Sequence, residues 1–397
     1  MNITKILTAA LLVVMLTVFS ACARGETSVN PVTSESASVK EEKITVTAPK
    51  NGEKISLDND DITAFLKDYY FGSSINYIDR TLGDRYFPNS VTIEWSGSEE
   101  NGEKTNLSTE GVYAVEVSFD KDMKQSKTYY TNDGELTLEN LRSGKTYYFR
   151  IRNRVSGDES GIRNFATKKS TRTIKIDGVS NTRDIGGYSF GIDGEKTVKQ
   201  GMVYRGAAPD EATEQGKKTF GELGIKTIID LREEASRKRA ISGVNYVELP
   251  EKGGPCYVSG DRSVTKPEYT AALIQSVKVF ADESNYPVYF HCQIGRDRTG
   301  TLAFILSGLL DVDYSPCLCL DYELSCFSEA GCRDYADGAK QVANMTGMFN
   351  AMNSYFIKYS RSKGDERANL QSGIEWFLKD NGVTEEEISN IKRIMTE

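Results

Sequence analysis

The stretch Pro287-Val-Tyr-Phe-His-Cys-Gln-Ile-Gly-Arg-Asp-Arg-Thr-Gly300 decides the fold of this chain. It holds the only histidine of the protein, His291, directly before Cys292. Its apolar start, Val288 to Phe290, predicts a short buried strand, and Thr299 to Leu310 predicts an apolar helix. A strand, a tight loop and a helix in this order direct backbone N–H groups and the positive end of the helix dipole at one place. The stretch therefore predicts an anion site between the strand and the helix.

The side chains of this loop suit chemistry on a phosphate ester. Cys292 is a candidate nucleophile, because thiols near a helix N-terminus and a cation ionise readily. Arg298 follows later in the loop and presents a planar, permanently charged fork to phosphate oxygens. The candidate phosphate-binding residues are Gln293, Ile294, Gly295, Arg296, Asp297 and Arg298. A buried structural cysteine in a strand–helix turn is the alternative, but such a turn has no need of two arginines and an aspartate beside the thiol.

The composition of the chain removes several other kinds of chemistry. One histidine cannot build a histidine-rich zinc site, and no Cys-x-x-Cys pair is present, so we predict no metal and no cofactor. A Ser-His-Asp hydrolase would have to use His291, which has no serine nucleophile motif nearby. The formal net charge of −8 argues against a nucleic-acid partner. A local group of arginines can still dominate a pocket for an anionic substrate.

The N-terminus predicts export. Lys5 precedes the apolar run Ile6 to Val18, which is too short to span a membrane comfortably. The run ends in Val18-Phe-Ser-Ala-Cys22, which resembles a bacterial lipobox, where the cysteine takes the lipid. We expect residues 1–21 to be a signal peptide and residues 22–42 to be a flexible stalk, lipid-anchored to the outer face of the bacterial cell membrane. Cleavage as an ordinary signal peptide, followed by secretion, is the alternative.

Five further cysteines have no predicted part in catalysis or anchoring: Cys256, Cys317, Cys319, Cys326 and Cys332. An exported protein permits disulfides. Cys317 and Cys319 fall in a segment with a helical pattern, and we favour small buried apolar residues over a disulfide as the interpretation.

Residues 43–169 are rich in strand patterns. The segments Val91 to Trp95 and Thr146 to Arg152 alternate between apolar and polar residues, which predicts an antiparallel β-sandwich. Asp60 to Tyr70 predicts a short helix within this region. A resemblance to a fibronectin type III module is carried by Trp95, Leu141 to Ile151 and Ser160 to Thr167. We expect such a domain to space or position the domain that follows it.

Residues 170–397 alternate between strand and helix patterns. The predicted strands are Thr227 to Leu231, Tyr246 to Leu249 and Pro287 to His291. The predicted helices are Glu211 to Leu223, Glu268 to Ala281, Thr299 to Leu310 and the tail from Asn369. Such alternation predicts an α/β fold with a mainly parallel sheet flanked by helices.

Five motifs of this region occur in one order: Asn181-Thr-Arg-Asp-Ile-Gly-Gly187, Val203-Tyr-Arg-Gly-Ala207, Ile229-Asp-Leu-Arg232, the cysteine loop, and Asp321-Tyr-Glu-Leu-Ser325. Together they resemble the bacterial branch of the cysteine-dependent protein tyrosine phosphatases, whose loop reads His-Cys-x-x-Gly-Lys-Asp-Arg-Thr-Gly. The resemblance implies the α/β cysteine-phosphatase fold over residues 170–397. Arg296 stands where that branch carries lysine, which keeps the positive charge and changes its geometry.

The resemblance and the residue chemistry together assign a part to each group of the loop. Cys292 is expected to attack phosphorus and form a phosphocysteine, while Arg298 clamps the phosphoryl oxygens. Thr299 is expected to donate its hydroxyl to the departing thiolate, and His291 to hold the loop backbone.

A phenolate or alkoxide leaving group needs a proton, so an acid must lie near the loop. We predict Asp297 for this part, with Asp261 as the alternative. Asp261 belongs to the glycine-rich segment Gly253 to Arg262, which has the composition of a mobile lid. We also expect Arg183 and Asp184 to form an ion pair beside the site.

The expected function is hydrolysis of phosphomonoesters, with phosphotyrosine in proteins as the first candidate substrate. Phosphoinositides or inositol polyphosphates are an alternative, because three positive side chains suit a crowded polyphosphate. A lipoprotein that captures phosphorylated ligands without turnover is a second alternative. The expected partners are the phosphorylated substrate and, through Cys22, the membrane. A fragment that begins near Ser170 is expected to fold and to hydrolyse aryl phosphates.

Overall fold

The computed structural model describes residues 43–77, 85, 87–97, 111–190, 196–329 and 338–397. The predicted signal peptide, the stalk with Cys22, and Cys332 lie outside these residues. In the described part of the chain, no helix is both long enough and apolar enough to cross a membrane.

The N-terminal part of the described chain forms two facing sheets. Their strands are β1 (Thr45–Ala48), β2 (Glu53–Ile55), β3 (Val91–Ser96), β4 (Tyr113–Ser118), β5 (Lys127–Thr131), β6 (Glu135–Leu138), β7 (Thr146–Asn153) and β8 (Arg163–Thr167). One sheet has the order β1-β3-β6 and the other the order β2-β8-β7-β4-β5. All pairs are antiparallel except β2 with β8.

Alternation along these strands builds the core between the two sheets. On β3, Ile93 and Trp95 are buried, and on β7, Phe149 and Ile151 are buried, while the residues between them are more exposed. The hydroxyl of Tyr147 accepts a hydrogen bond from the backbone N–H of Arg142 at 2.5 Å. A tyrosine that returns to the backbone a few residues upstream is typical of β-sandwich domains of the immunoglobulin architecture.

The C-terminal part is built on a six-stranded sheet. Its strands are β9 (Arg172–Thr173), β10 (Arg183–Asp184), β13 (Val203–Gly206), β14 (Thr227–Asp230), β15 (Asn245–Tyr246) and β16 (Val288–His291), and the strands β11 (Ser189–Phe190) and β12 (Lys196–Thr197) form a separate ribbon. The order is β15-β14-β16-β13-β10-β9. The first four strands are parallel to one another, and β10 pairs antiparallel with both β13 and β9. The predicted α/β fold with a mainly parallel sheet is confirmed.

Eight α-helices lie in the described residues: α1 (Asp60–Lys67), α2 (Glu214–Glu222), α3 (Pro267–Val279), α4 (Asp297–Leu309), α5 (Leu320–Glu323), α6 (Gly338–Ser362), α7 (Leu370–Asp380) and α8 (Glu385–Met395). Helix α4 is apolar on every side because it is the buried central helix, packed against the sheet and against α3 and α7. It begins two residues earlier than predicted, at Asp297, so the cysteine loop runs directly into it.

Helix α1 packs into the core of the C-terminal part, although the chain enters it from one sandwich sheet and leaves it for the other. Ile62 and Phe65 are fully buried in the same cluster as the strands and α4. The ring centre of Phe65 lies 5.1 Å from that of Phe327. Residues 60–77 therefore belong by packing to the α/β core, although in sequence they lie inside the predicted sandwich domain.

The described cysteines all carry free thiols. Cys319 and Cys326 are fully buried, and Cys256 and Cys317 are partly buried. This burial agrees with the interpretation of these residues as small apolar side chains.

Candidate active site

The carboxyl ends of three parallel strands meet where the cysteine loop begins. Cross-strand pairing sets His291, at the end of β16, beside Gly206 of β13 and Asp230 of β14. The loop passes so close to β13 that a Cβ on Gly295 would lie 2.4 Å from the carbonyl carbon of Gly206. Gly295 also has a φ of +73°, which favours glycine. The glycine in the loop motif is thus required twice, by its backbone angle and by the close approach.

Three consecutive carbonyl groups of the loop are hydrogen-bonded to neighbouring segments of the same chain. The carbonyl of Gln293 accepts from the N–H of Ala208 at 3.1 Å. The carbonyl of Ile294 accepts from Nδ2 of Asn181 at 2.9 Å, and that of Gly295 accepts from Nη2 of Arg205 at 2.5 Å. In a planar trans peptide the N–H points opposite to the preceding C=O. The N–H groups that follow these carbonyls are therefore turned to the inner side of the loop.

A buried ionic cluster holds the two side chains that bind these carbonyls. Arg183 donates to Oδ1 of Asp321 at 2.6 Å and to Oδ1 of Asn181 at 2.7 Å. Arg205 forms an ion pair with Oδ2 of the same Asp321. Burial raises the pKa of Asp321, but the two arginines lower it more, so the pKa lies below its usual value. Asp321 therefore fixes the position of the groups that shape the loop.

The predicted ion pair between Arg183 and Asp184 is wrong. Adjacent residues of a strand point to opposite faces of the sheet, so these two side chains cannot meet. Arg183 turns to Asp321, and Asp184 pairs with Arg172 at 2.7 Å on the other face.

Cys292 lies directly after β16 and is 3% exposed. The neighbouring His291 is fully buried, and its Nδ1 lies 3.1 Å from the carbonyl oxygen of Cys292 and 3.8 Å from Oδ1 of Asp230. Burial lowers the pKa of His291, so the ring is neutral near pH 7 and its Nδ1–H donates to the carbonyl. This geometry suits the predicted part of His291, which is to hold the backbone at the cysteine.

Arg298 is held at the rim of the loop by a single nitrogen. Its Nη1 donates to the carbonyl of Leu231 at 3.2 Å and to Oε2 of Glu233 at 3.0 Å. Among the described residues, Nε and Nη2 of Arg298 have no such partner, so one edge of the guanidinium remains for phosphate oxygens. Glu233, which follows the Ile229 to Arg232 motif by one residue, was not among the predicted site residues.

Glu233 joins Arg298 to the glycine-rich segment. Its second oxygen pairs with Arg262, at the end of that segment. Burial alone would raise the pKa of Glu233. The hydrogen bond from Arg262 and the nearby Arg298 have the larger, opposite effect and lower the pKa to about 2. Glu233 is therefore a carboxylate at all physiological pH values.

Asp297 accepts hydrogen bonds from three side chains. The hydroxyls of Tyr257 and Tyr322 donate to Oδ1 at 2.6 and 3.1 Å, and Nε of Arg296 lies 3.2 Å from the same oxygen. Burial raises the pKa of Asp297, but Arg296 and the two hydroxyls hold it below its usual value. Arg296 is itself 6% exposed and lies against Asp297. In the absence of substrate, Asp297 is thus a hydrogen-bonded carboxylate.

Asp261 lies apart from this network. Its side chain is fully exposed, and its nearest cation is Lys266, at 3.6 Å. The glycine-rich segment around it is tied to the core by hydrogen bonds from the N–H of Gly254 to the carbonyl of Leu231 and from the N–H of Tyr257 to the hydroxyl of Thr301. Asp261 therefore occupies the exposed tip of an anchored segment.

Thr299, in the first turn of α4, is fully buried. Its hydroxyl has no hydrogen-bond partner among the described residues. An unpaired buried hydroxyl is costly, which suits a group whose partner is formed during a reaction.

A comparison with protein families matches residues 174–397, more than half of the chain, to the tyrosine phosphatase family. The chain belongs to this family. A curated protein of Cupriavidus necator, whose name assigns it provisionally to the tyrosine-protein phosphatases, is 27% identical over 172 residues. That match covers 37% of this chain and 61% of the relative, so this chain spans less than two thirds of the relative's length.

Two solved structures are distant matches to this chain. One is the core catalytic domain of the PP-IP phosphatase SIW14 from S. cerevisiae in complex with citrate, with 16% identity and a TM-score of 0.25 over 42% of this chain and 91% of that chain. The other is a structure of the Siw14 catalytic core, with 19% identity and a TM-score of 0.24 over 37% of this chain and 88% of that chain. Likeness at this level says nothing about the substrate.

Proposed function

We propose that this protein hydrolyses phosphomonoesters through a phosphocysteine and that phosphotyrosine in proteins is its principal substrate class. One observation carries the proposal: three successive carbonyls, from Gln293 to Gly295, are bound on the outer side of a loop that starts at Cys292. The N–H groups on the inner side then form an anion cradle with the thiol at its base and Arg298 at its rim. The membership of the tyrosine phosphatase family supports the same reaction.

In the first step, the thiolate of Cys292 attacks phosphorus and the bond from phosphorus to the ester oxygen breaks. The three non-bridging oxygens lie against the inner N–H groups and the free edge of Arg298. The leaving oxygen takes a proton, for which we propose Asp297 as donor and keep Asp261 as the alternative. The products of this step are the alcohol or phenol and a phosphocysteine.

To act as the donor, Asp297 must take up a proton from solvent when substrate binds, because its own surroundings hold its pKa below the usual value. A phosphate dianion bound in the loop brings negative charge next to this carboxylate, and a like charge raises a carboxyl pKa. The hydroxyls of Tyr257 and Tyr322 occupy Oδ1 of Asp297, and Arg296 approaches Oδ2 at 3.3 Å as well as Oδ1. These contacts favour the carboxylate, so the negative charge of bound substrate must raise the pKa of Asp297 against them to make it an acid.

In the second step, water attacks the phosphocysteine and the sulfur–phosphorus bond breaks. Asp297, now ionised, takes a proton from the water, and the hydroxyl of Thr299 stabilises the departing thiolate. The neutral ring of His291 keeps its bond to the Cys292 carbonyl through both steps. Inorganic phosphate leaves and the thiolate is restored.

Phosphotyrosine is favoured over crowded polyphosphates by the position of Arg296. The polyphosphate alternative relied on three cations around the loop. Arg296 is buried against Asp297, which leaves Arg298 as the loop cation directed to substrate.

The test of this function is a matched pair of cysteine variants. Cys292→Ser is expected to abolish hydrolysis of an aryl phosphate and to keep binding of phosphotyrosine peptide, because serine ionises far less readily than cysteine. Cys317→Ser, which changes a free thiol outside the loop, should keep full activity. Rates on phosphotyrosine peptide, phosphoserine peptide, a phosphoinositide and inositol hexakisphosphate rank the substrate classes. Full activity of Cys292→Ser would exclude the proposed chemistry, and binding of phosphotyrosine without turnover by the wild type would favour the non-catalytic alternative.

For the rest of the chain, we propose a lipid anchor on Cys22, an extracytoplasmic location on the bacterial membrane, and a fibronectin type III-like sandwich that spaces the phosphatase from that membrane. The lipobox-like residues Val18 to Cys22 and the sheet orders of the sandwich support this arrangement. The protein should partition with membranes and Cys22→Ala should release it. A wild-type protein found in the medium with an unmodified N-terminus would contradict the anchor.

A further inference from the structure

A cleft of about 1100 Å³ lies between the sandwich and the α/β part, far from Cys292. Gly201 and Pro287, which line it, precede β13 and β16, whereas Cys292 follows β16. The cleft therefore opens at the end of the sheet opposite to the cysteine loop, with the length of the four-residue strands, roughly 13 Å, between them. Its volume is slightly above the usual range for ligand sites, roughly 300–1000 Å³.

The unequal widths of the two sandwich sheets create this cleft. The pairing of β4 with β5 places Lys127 opposite Val117 and Tyr129 opposite Val115, so both residues lie on the face that Val115 buries in the core. The facing sheet has three strands and ends at β6, whereas β5 is the edge of a five-stranded sheet. Lys127 is consequently exposed on a core-facing side, and with Tyr129 it lines the cleft.

Two cations in the cleft that have no carboxylate partner lie over aromatic rings. The Nζ of Lys127 is 4.7 Å from the ring centre of Tyr129, and the guanidinium of Arg142 is 5.4 Å from that of Phe119. Among the described residues, neither cation forms an ion pair with a carboxylate. Phe119 is 51% exposed, which leaves ring surface for a ligand.

The carboxylates of the cleft are occupied by other lysines. Glu139 pairs with Lys175 at 2.8 Å, and Glu222 lies 3.8 Å from Lys218. Two further cations of the lining are also paired, Lys124 with Asp122 at 3.4 Å and Arg172 with Asp184 at 2.7 Å. The neutral polar lining consists of hydroxyl and amide side chains, among them Ser118, Gln125, Ser126, Thr137, Gln215 and Thr219. The cleft thus offers two positive charges without a carboxylate partner, the exposed ring of Phe119 and several neutral polar groups.

We propose that this cleft binds an anionic oligosaccharide, such as a chain of uronate residues. Sugar rings stack on exposed aromatic faces, their hydroxyls match the hydroxyl and amide lining, and their carboxylates match Lys127 and Arg142. An acidic peptide would satisfy the cations as well, but it has few hydroxyls for so many neutral polar groups. The site would hold the protein on an acidic glycan while the cysteine loop stays open at the opposite end of the sheet.

The test is titration calorimetry of the full chain with oligogalacturonate at low and at physiological salt. The wild type should bind, and added salt should weaken the binding because charge contributes to it. The double variant Lys127→Ala, Arg142→Ala should bind about tenfold more weakly or worse, since each variant removes a hydrogen bond to a charged group. Phe119→Ala should also weaken binding, through loss of the stacking surface.

The matched control removes two exposed lysines, Lys50 and Lys54, near the far edge of the same sheet. This double alanine variant should bind as the wild type does, and all variants should keep their aryl phosphatase rate and their circular dichroism spectrum. The methyl ester of the same oligosaccharide, which has no charge, should bind weakly. Absence of oligogalacturonate binding, or equal binding by Lys127→Ala, Arg142→Ala, would overturn the proposal. Equal or tighter binding of poly-glutamate, unaffected by Phe119→Ala, would replace the glycan by an acidic peptide.

Discussion

The cysteine loop and the layer of residues behind it are built in opposite ways. The groups to which we assign the reaction, from Cys292 to Thr299, are contiguous in sequence and lie on one strand–loop–helix unit. The groups that shape this unit come from β10, β13, α5 and the segment of residues 60–77. For example, the hydrogen bond from Tyr69 to Glu323 joins residues that are 254 positions apart in sequence. The chemistry of the site is thus encoded locally, and its geometry is encoded by the whole fold.

The two regions also differ in how each tolerates change. The loop faces solvent on one side, so a lost hydrogen bond there can be replaced by water. The supporting layer is dry: Arg183 and Arg205 are at most 1% exposed, and Glu323 is 1% exposed. Removal of one partner from a buried ion pair leaves an uncompensated charge, which costs more than the pair itself contributes. Variants behind the loop should therefore have their larger effect on stability, and variants within the loop should have theirs on rate.

The largest effect is expected from Asp321→Asn. It leaves Arg183 and Arg205 without their shared carboxylate, which should lower the free energy of unfolding by about 3–5 kcal/mol. The phosphatase rate should fall with it, because Arg205 and Asn181 position the loop carbonyls. Urea titration and aryl phosphate hydrolysis measure the two losses. The control is Glu139→Gln, which breaks an exposed ion pair with Lys175 and should cost less than about 1 kcal/mol.

The wild type and Asp321→Asn should also differ in how their stability depends on pH. The folded-state pKa of Asp321 lies below its unfolded value, so its contribution to stability is present above the unfolded pKa and is lost as the pH falls through the folded one. The wild type should therefore lose stability on acidification more steeply than Asp321→Asn. Parallel curves would show that the arginines do not depend on this carboxylate.

Next in size is the effect of Asp297→Asn on the rate. A proton donor matters for a poor leaving group and hardly matters for an activated phenol. The variant should slow hydrolysis of phosphotyrosine about 100-fold, slow an activated aryl phosphate much less, and flatten the basic limb of the pH–rate profile. Asp261→Asn should have a small effect that is equal for both leaving groups. If the leaving-group dependence appears in Asp261→Asn instead, the general acid is the residue on the exposed segment.

A smaller effect is expected from residues 60–77. Glu323 accepts hydrogen bonds from Tyr69 at 2.8 Å, from the N–H of Gly72 at 2.9 Å, and from the hydroxyl of Ser74 at 2.7 Å. The variant Tyr69→Phe, Ser74→Ala removes two of these bonds from a buried carboxyl group whose pKa is raised by burial, and should cost about 1–3 kcal/mol of unfolding free energy. Tyr70→Phe is the control, because Tyr70 is 61% exposed.

The same contacts alter the expectation for a fragment that begins at Ser170. Such a fragment loses Ile62 and Phe65 from its core and all partners of Glu323 from this segment. We expect it to be less stable than the full chain, with a lower melting temperature, even if the loop remains active. A fragment as stable as the full chain would show that the packing of α1 contributes nothing.

The sequence was sufficient for the loop because every signal there is local. A buried apolar strand, a glycine, and an arginine after a cysteine predict strand, turn and helix without knowledge of the fold. Asp321, Glu233 and Tyr257 could not be assigned in this way, because their partners are far away in sequence or on another segment. The pairing of Arg183 with Asp184 failed for a related reason: proximity in sequence suggested a contact that the alternation of a strand forbids. The core position of α1 had no sequence signal, since an amphipathic helix does not reveal which core it covers.

The most direct test of the central claim is to trap the covalent intermediate. Wild-type protein and Thr299→Ala are mixed with an activated aryl phosphate, quenched in acid during turnover, digested and analysed by mass spectrometry. We expect a phosphoryl group on the peptide with Cys292, and more of it in Thr299→Ala, since loss of the hydroxyl slows departure of the thiolate. Turnover with no phosphorylated peptide in either protein, or with the phosphoryl group on His291 instead, would contradict it.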